Sequence, residues 1–379
     1  MKDKIWLSPP HKAVNEEKYI KNALDSNWIA PVGPQLVEFE NKLELYLSGK
    51  NYFTALNSGT SAIHIALKML NVGVEDEVLC QSFSFCATAN PITYLGANPI
   101  FIDSEEDTWN MSPVFLEEAI KSRIGNYKKP KAIIFANIYG MPAKIEEILE
   151  VANKYKIPVI EDAAEALGSK YKKTKCGSFG NYSIVSFNGN KIITTSGGGA
   201  IITRDKKSKE KALYLATQAK EKAFFYEHKE VGYNYRLSNI SAAIGIAQLE
   251  LIKERVKQRR ENHNFYSKAF KNNINIKVFD EPNENYFSNH WLTCILINSK
   301  TNITVNEALV FLNSKNIEAR ALWKPLHLQP VFKNNLYFGE SVCENLFKKG
   351  LCLPSGSSLK DEEKTYIANQ VNTLLKDNL

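Results

Sequence analysis

Between residues 50 and 205, short apolar runs alternate with amphipathic stretches, and no other feature of the chain restricts the fold as much. Glu77-Val78-Leu79-Cys80, Pro99-Ile100-Phe101-Ile102, Ala132-Ile133-Ile134-Phe135 and Val159-Ile160 are short, apolar and rich in β-branched or aromatic residues, so they read as buried strands. Between them the spacing changes. Ile63, Ala66, Leu67 and Leu70 share one helical face, and Val114 to Ile124 and Ile145 to Tyr155 read as helices. Such repetition predicts an α/β layered domain, with a central, mostly parallel sheet flanked by crossover helices. In these sheets ligands collect beyond the carboxyl ends of the strands.

Past residue 205 the pattern loosens. Ser238 is placed to cap a long helix through Ile240, Ala243, Ile244, Ala247 and Leu251 into the charged stretch Lys253 to Glu261. Trp291 to Ile297 reads as a strand, Val305 to Leu312 as a helix and Ile317 to Leu322 as a strand, which predicts a smaller α+β unit. The expected division is a large domain over 1–255 and a small C-terminal domain over 256–379, and 379 residues suffice for both. The net charge of +7 favours anionic small molecules, but the densest lysine cluster, Lys206 to Lys211, includes Glu210 and follows Asp205. That is a solvated helix face, and nucleic-acid binding is not expected. None of the six cysteines forms a Cys-x-x-Cys pair, so reduced thiols of a cytoplasmic protein are expected. Neither a signal peptide nor a membrane span is expected, because no apolar stretch is long enough.

Two strand ends carry reactive groups. One run closes on Glu161-Asp162, and another, Tyr182 to Phe187, leads through Asn188-Gly189-Asn190 into Lys191, ahead of Gly197-Gly198-Gly199. An amine and a strand-end acid on separate short elements form the arrangement that pyridoxal phosphate (PLP) chemistry uses. The amine makes a Schiff base, and the acid keeps the pyridine nitrogen protonated so that the ring accepts electrons. Taken singly, each residue has a plainer reading. A lone lysine is a surface charge, and Asp162 can cap a helix over Ala163-Ala164-Glu165-Ala166. Ser58-Gly59-Thr60-Ser61 opens a helix whose N–H groups suit a phosphate, though a simple serine cap fits equally. Ser186 offers a hydroxyl near the lysine, and Phe85 can stack on a cofactor ring or belong to the core. There is no Gly-x-Gly-x-x-Gly after a strand, no P-loop, no His-Glu-x-x-His and no Gly-x-Ser-x-Gly. The six histidines lack metal-ligand spacing, so no metal is expected.

Five landmarks occur in order: Asn57-Ser58-Gly59-Thr60-Ser61-Ala62, Glu161-Asp162-Ala163-Ala164-Glu165-Ala166-Leu167-Gly168, Gly177-Ser178-Phe179-Gly180, Ser186-Phe187-Asn188-Gly189-Asn190-Lys191 and Gly232-Tyr233-Asn234-Tyr235-Arg236-Leu237-Ser238. Jointly they resemble the DegT/StrS-type nucleotide-sugar aminotransferases, a branch of the fold-type I PLP enzymes, from residue 5 to the C-terminus. The resemblance implies Lys191 as the Schiff-base lysine, Asp162 as the pyridinium partner and Phe85 over the ring. It implies Gly59, Thr60 and Ser186 at the phosphate, and Asn234 reaching the phosphate of a neighbouring subunit in a homodimer with shared active sites. Sugar-binding dehydratases of this fold carry histidine in place of the lysine, so Lys191 favours transamination. Glu165, counted among the cofactor-binding residues, stands where relatives commonly have Gln or His, and Asn188-Gly189-Asn190 replaces a more usual His-Ala-Thr. With Trp6-Leu7-Ser8-Pro9-Pro10-His11, Ser26-Asn27-Trp28-Ile29-Ala30-Pro31 and Leu322-Trp323-Lys324-Pro325-Leu326-His327, these features look like the bacillosamine-pathway enzymes. The implied reaction is amination at C-4 of UDP-linked 2-acetamido-2,6-dideoxy-4-hexulose with L-glutamate as donor. GDP- or dTDP-linked keto-sugars, amination at C-3, and a non-catalytic sugar-nucleotide sensor are the alternatives. Trp323, His327 and Arg236 are candidate substrate contacts, with packing or surface duty as the other reading.

Overall fold

The apolar runs become the strands of one eight-stranded sheet. The computed structural model describes residues 3–48 and 50–376. Residues 1–2, the start of the stretch read for a signal peptide, lie outside the described residues, as do 49 and 377–379, so the outer ends of both expected domains are not covered. The strands are β1 (Tyr52–Leu56), β2 (Glu77–Gln81), β3 (Asn98–Ile102), β4 (Ala132–Ala136), β5 (Val159–Asp162), β6 (Tyr182–Ser186) and β7 (Gly199–Thr203). Their spatial order is β1-β7-β6-β5-β4-β2-β3, with the short strand Tyr337–Phe338 outside β3. Ile133 and Ile134, whose side chains point to opposite faces, have no exposed surface. Burial on both faces is what helices on either side of a parallel sheet impose.

All neighbours pair in parallel except β7, which is antiparallel to both β1 and β6. The reason lies in the connection. A parallel return needs a long crossover, usually a helix, whereas the loop over 187–198 contains none and turns straight back, with Phe187 N–H donating to Gly198 O at 2.8 Å. That loop carries Lys191.

Four helices bear on the site: α1 (Pro34–Tyr46), α2 (Gly59–Met69), α3 (Asn239–Glu250) and α4 (Ile252–Phe270). Ser58 caps α2 by accepting the Ser61 N–H at 3.0 Å. The single long helix expected from Ser238 onward is two helices. Leu251, with ψ near 4°, ends the largely buried α3 and begins the charged α4. No helix follows Asp162, and residues 163–168 form turns.

A second sheet holds the strands Ile276–Val278, Thr293–Ile297, Gly350–Leu353 and Arg320–Ala321, in that order and all antiparallel. Two expected strands are shorter than predicted. Trp291 and Leu292 precede their strand, and of 317–322 only Arg320–Ala321 pairs in this sheet, while Ile317 bridges Ile5. Three features run across the expected division near 255. α4 spans it, Ile5 joins the second unit, and Tyr337–Phe338 extends the large sheet. Among the described residues no helix is long and apolar enough to cross a membrane.

Candidate active site

The carboxyl ends of β5 and β6 and the N-terminus of α2 meet around a cleft of about 340 Å³. Of the residues singled out in the sequence, Gly59, Thr60, Phe85, Asp162, Glu165, Ser186, Lys191 and Trp323 line it. Gly199 permits the approach of α2 to the sheet. A Cβ there would lie 2.4 Å from Gly59 N and 2.5 Å from Ser58 C, distances no side chain tolerates. Ser58 takes one N–H of the first turn, and the N–H groups of Gly59 and Thr60 begin the helix without an intrahelical acceptor. Beside them Ser186 lies so close that a Cβ on Gly59 would meet its Cβ at 3.3 Å. Backbone donors, a helix dipole and a hydroxyl make this corner chemically suited to a phosphate.

Asp162 is buried. Its Oδ2 accepts the Thr88 hydroxyl at 2.8 Å and its Oδ1 the Ala164 N–H at 3.1 Å. Thr88 is in turn within 2.7 Å of Ser84 Oγ. The Ala164 bond is a local turn contact, not a helix cap. Burial raises the Asp162 carboxyl above its ordinary value; the Thr88 and Ala164 bonds oppose the rise, Glu165 adds to it, and Lys191 opposes it weakly. A buried carboxylate with only neutral hydrogen-bond partners is suited to a cationic ligand atom such as a pyridinium N–H.

Lys191 Nζ lies 3.2 Å from Glu165 Oε1 and 4.1 Å from the centre of the Trp291 ring. Glu165 Oε2 accepts the Tyr139 N–H at 2.7 Å. Tyr139 has φ of +53°, an uncommon backbone state for a residue with a Cβ, and its N–H is thereby bound to the carboxylate that holds the lysine. The Tyr139 hydroxyl accepts the Trp323 N–H at 2.8 Å, and the two rings stack at 6.1 Å. Phe85 is 49% exposed, with its ring 5.3 Å from that of Trp323, so it forms the open rim of the cleft and not the core.

Three residues named from sequence lie away from this cleft. Arg236 is ion-paired with Glu40 of α1 and donates to Ala55 O at 2.9 Å, with 9% of its side chain exposed. His327 is hydrogen-bonded to Ser82 Oγ at 2.7 Å and stacks on Tyr337 at 3.8 Å. Both are engaged in packing. Asn234 is exposed, pairs through its backbone with Thr217, and is absent from the cleft wall of its own chain. The histidines, unspaced for a metal in sequence, are partly gathered in space. His263, Asp280 and His290 bring potential ligand atoms within 4.8 Å of one another. The two imidazoles stack 3.6 Å apart and 8° from parallel, so one ion cannot lie in both ring planes.

Thr88, Tyr139 and Trp291 carry structural roles that the sequence reading did not assign. Thr88 lies three residues past Phe85 and carries no local signal of its own. Trp291 and Tyr139 had no local signal, because their partners are remote in sequence.

A family model for the DegT/DnrJ/EryC1/StrS aminotransferase family matches residues 10–372. EpsN of Bacillus subtilis (strain 168) is 49% identical over 368 residues, covering 96% of this chain and 94% of that protein. The GDP-perosamine synthase of Escherichia coli O157:H7 is 37% identical over 98% of this chain and 99% of its own. The UDP-4-amino-4,6-dideoxy-N-acetyl-beta-L-altrosamine transaminase of Campylobacter jejuni is 32% identical over 91% and 90%. Among solved structures, Spr1654 from Streptococcus pneumoniae in its PLP form has a TM-score of 0.90 at 25% identity, covering 99% of this chain and 100% of that one. The chain belongs to the DegT/DnrJ/EryC1/StrS aminotransferase family and is a PLP-dependent sugar aminotransferase.

Proposed function

We propose that this member of the family transfers the amino group of L-glutamate to C-4 of a nucleotide-linked 4-keto-6-deoxy sugar, with UDP-2-acetamido-2,6-dideoxy-4-hexulose as the substrate to test first. The observation that carries the reading is the meeting of Lys191, Asp162 and the α2 N-terminus around one cleft. A second hollow of about 840 Å³ adjoins it, sharing Asn190, Trp291 and Trp323, and supports a ligand larger than a free amino acid.

Bound PLP supplies a ring that accepts the electron pair released when a C–H bond beside nitrogen breaks. The remaining work falls to the chain. Gly59, Thr60 and Ser186 would hold the phosphate, Phe85 would cover the ring, and Asp162 would keep the proton on the ring nitrogen. Lys191 Nζ would hold the cofactor at rest; as a free amine it would take the α-proton of glutamate and, in the second half-reaction, deliver a proton to C-4 of the sugar. Glu165 accepts a hydrogen bond from Nζ and orients it between these transfers. The overall exchange is balanced: glutamate becomes 2-oxoglutarate, and the sugar carbonyl becomes a CH–NH₂ centre.

Exposed Phe224, Phe225, Tyr226 and Asn234 support a homodimer in which each copy completes the other's phosphate site. The division near residue 255 into a cofactor domain and a smaller one is part of the same reading.

The similarity to a GDP-perosamine synthase favours one second reading, a GDP-linked keto-sugar. Parallel assays of UDP-, GDP- and dTDP-linked 4-keto-6-deoxy sugars with glutamate, followed by 2-oxoglutarate release, separate the two. The highest kcat/KM is expected with the UDP-linked sugar. A higher value with the GDP-linked sugar moves the assignment to the second reading, and no 2-oxoglutarate with any of them refutes both.

A further inference from the structure

Lys191 is held at both its root and its tip by a single residue that belongs to the second unit of the fold. The carbonyl of Asn190, in the peptide bond that leads into Lys191, accepts the indole Nε1–H of Trp291 at 2.7 Å and the Ser8 hydroxyl at 2.7 Å. At the other end of the side chain, Nζ rests 4.1 Å from the centre of the same indole ring and 3.2 Å from Glu165 Oε1. Trp291 is itself immobilised. It is 1% exposed, its carbonyl accepts Arg259 Nη1–H, and its N–H donates to Asn289 Oδ1 at 2.8 Å.

Arg259 is a costly anchor. It is 1% exposed, has no carboxylate partner among the described residues, and its Nε has no hydrogen-bond partner. Its other contacts are Ser8 Oγ at 2.9 Å and Ser355 O at 3.3 Å. A buried guanidinium cannot shed its proton, so this one is tolerated by binding oxygens from three separate segments. Two of its partners, Ser8 and Trp291, are the groups that grip the Asn190 carbonyl.

We propose that Trp291, locked by Arg259, is a positioning residue for the reaction, keeping the Lys191 amine in a narrow set of orientations between its contacts with cofactor and substrate. The inference rests on the reading of Lys191 given above. A four-carbon lysine stem loses much of its advantage as an intramolecular reactant if it is free to swing, because the orientation of the reacting atoms carries a large part of the rate.

The test compares Trp291→Leu, which removes both the ring face and the indole N–H, with Trp291→Phe, which keeps a ring face. Three quantities are read: kcat and KM for the keto-sugar, the rate at which cofactor-free protein captures PLP by stopped-flow absorbance, and the affinity for pyridoxamine phosphate, which forms no bond to Lys191. Cation–π contacts at desolvated sites translate to about threefold to thirtyfold in rate. Trp291→Leu is therefore expected to lower both kcat and the capture rate by about threefold to thirtyfold. Trp291→Phe should recover part of that loss, and KM and pyridoxamine phosphate affinity should stay within about twofold. Arg259→Lys should show the same split, more weakly. An unchanged kcat and capture rate overturns the proposal. So does an equal loss of pyridoxamine phosphate affinity, which marks a collapsed site, or a rise in KM alone, which marks a substrate contact. If the wild-type protein captures PLP on a lysine other than Lys191, the reading of the site fails and not this inference alone.

Discussion

The two walls of the cleft are built by different rules. On the sheet side, Asp162 and Lys191 follow strand ends, and Gly59 and Thr60 open a helix, so each group is aimed by the element that precedes it. On the other side, Trp291 and Trp323, backed by Ser8 and Tyr139 of the adjoining hollow, are held by one another and by Arg259, through hydrogen bonds between segments far apart in the chain. The sheet wall supplies the charges that the chemistry needs. The other wall supplies constraint. Substitutions on the first should remove a chemical function, and substitutions on the second should loosen one.

The largest expected effect is on the sheet wall. Lys191→Ala should lower kcat by about 10³-fold or more, since the proposed covalent anchor and proton carrier is lost. Single-turnover amination at near the normal rate would contradict the contrast at its strongest point.

Asp162→Asn comes next, with an expected fall in kcat of about 10²-fold or more as the ring loses its charged partner. The same change should act oppositely on stability in the cofactor-free protein. Burial raises the Asp162 carboxyl, so the folded state favours its protonated form. That contribution is complete below the ordinary carboxylate range and is lost as pH rises through the folded-state value. Asp162→Asn should therefore stabilise the cofactor-free protein at pH above the ordinary carboxylate range, with the gain shrinking in acid. Denaturant melts of both cofactor-free proteins at two pH values read this directly.

Glu165→Gln is milder. It keeps a hydrogen-bond acceptor for Lys191 Nζ but removes the charge, so kcat should fall by about tenfold or less with PLP still retained. A loss as large as that of Asp162→Asn would mean that Glu165 is itself a proton carrier.

Arg236→Ala should have the smallest effect on catalysis. It strands Glu40 in a buried site, and the expected cost is about 3–5 kcal/mol of stability. Activity per folded molecule, and KM for the sugar, should remain near normal. A selective rise in KM would restore Arg236 to the substrate site.

The same division sets how far the sequence could be read. Strand-end residues announce themselves, because an apolar run locates the strand and the polar residues at or just past its end lie at the carboxyl edge of the sheet. Lys191, Asp162 and the Ser58–Thr60 turn were legible in this way, and so were the large sheet and most of its helices. β7 was not, since its antiparallel return depends on the missing crossover helix in 187–198. The break at Leu251 was hidden as well, because apolar spacing continues across it. Trp291 reads as an ordinary strand residue until its indole is seen against the Asn190 carbonyl. The packing partners of Arg236 and His327 were hidden for the converse reason. Both are polar residues in conspicuous motifs whose buried partners, Glu40 and Ser82, cannot be inferred from spacing.

The account depends first on which lysine bears the cofactor. Borohydride reduction of the PLP-loaded protein, followed by proteolysis and mass mapping of the pyridoxyl group, addresses that with no knowledge of the substrate. One modified peptide is predicted, carrying the label on Lys191. Label on a different lysine, or none after PLP loading, would contradict the assignment of the cleft.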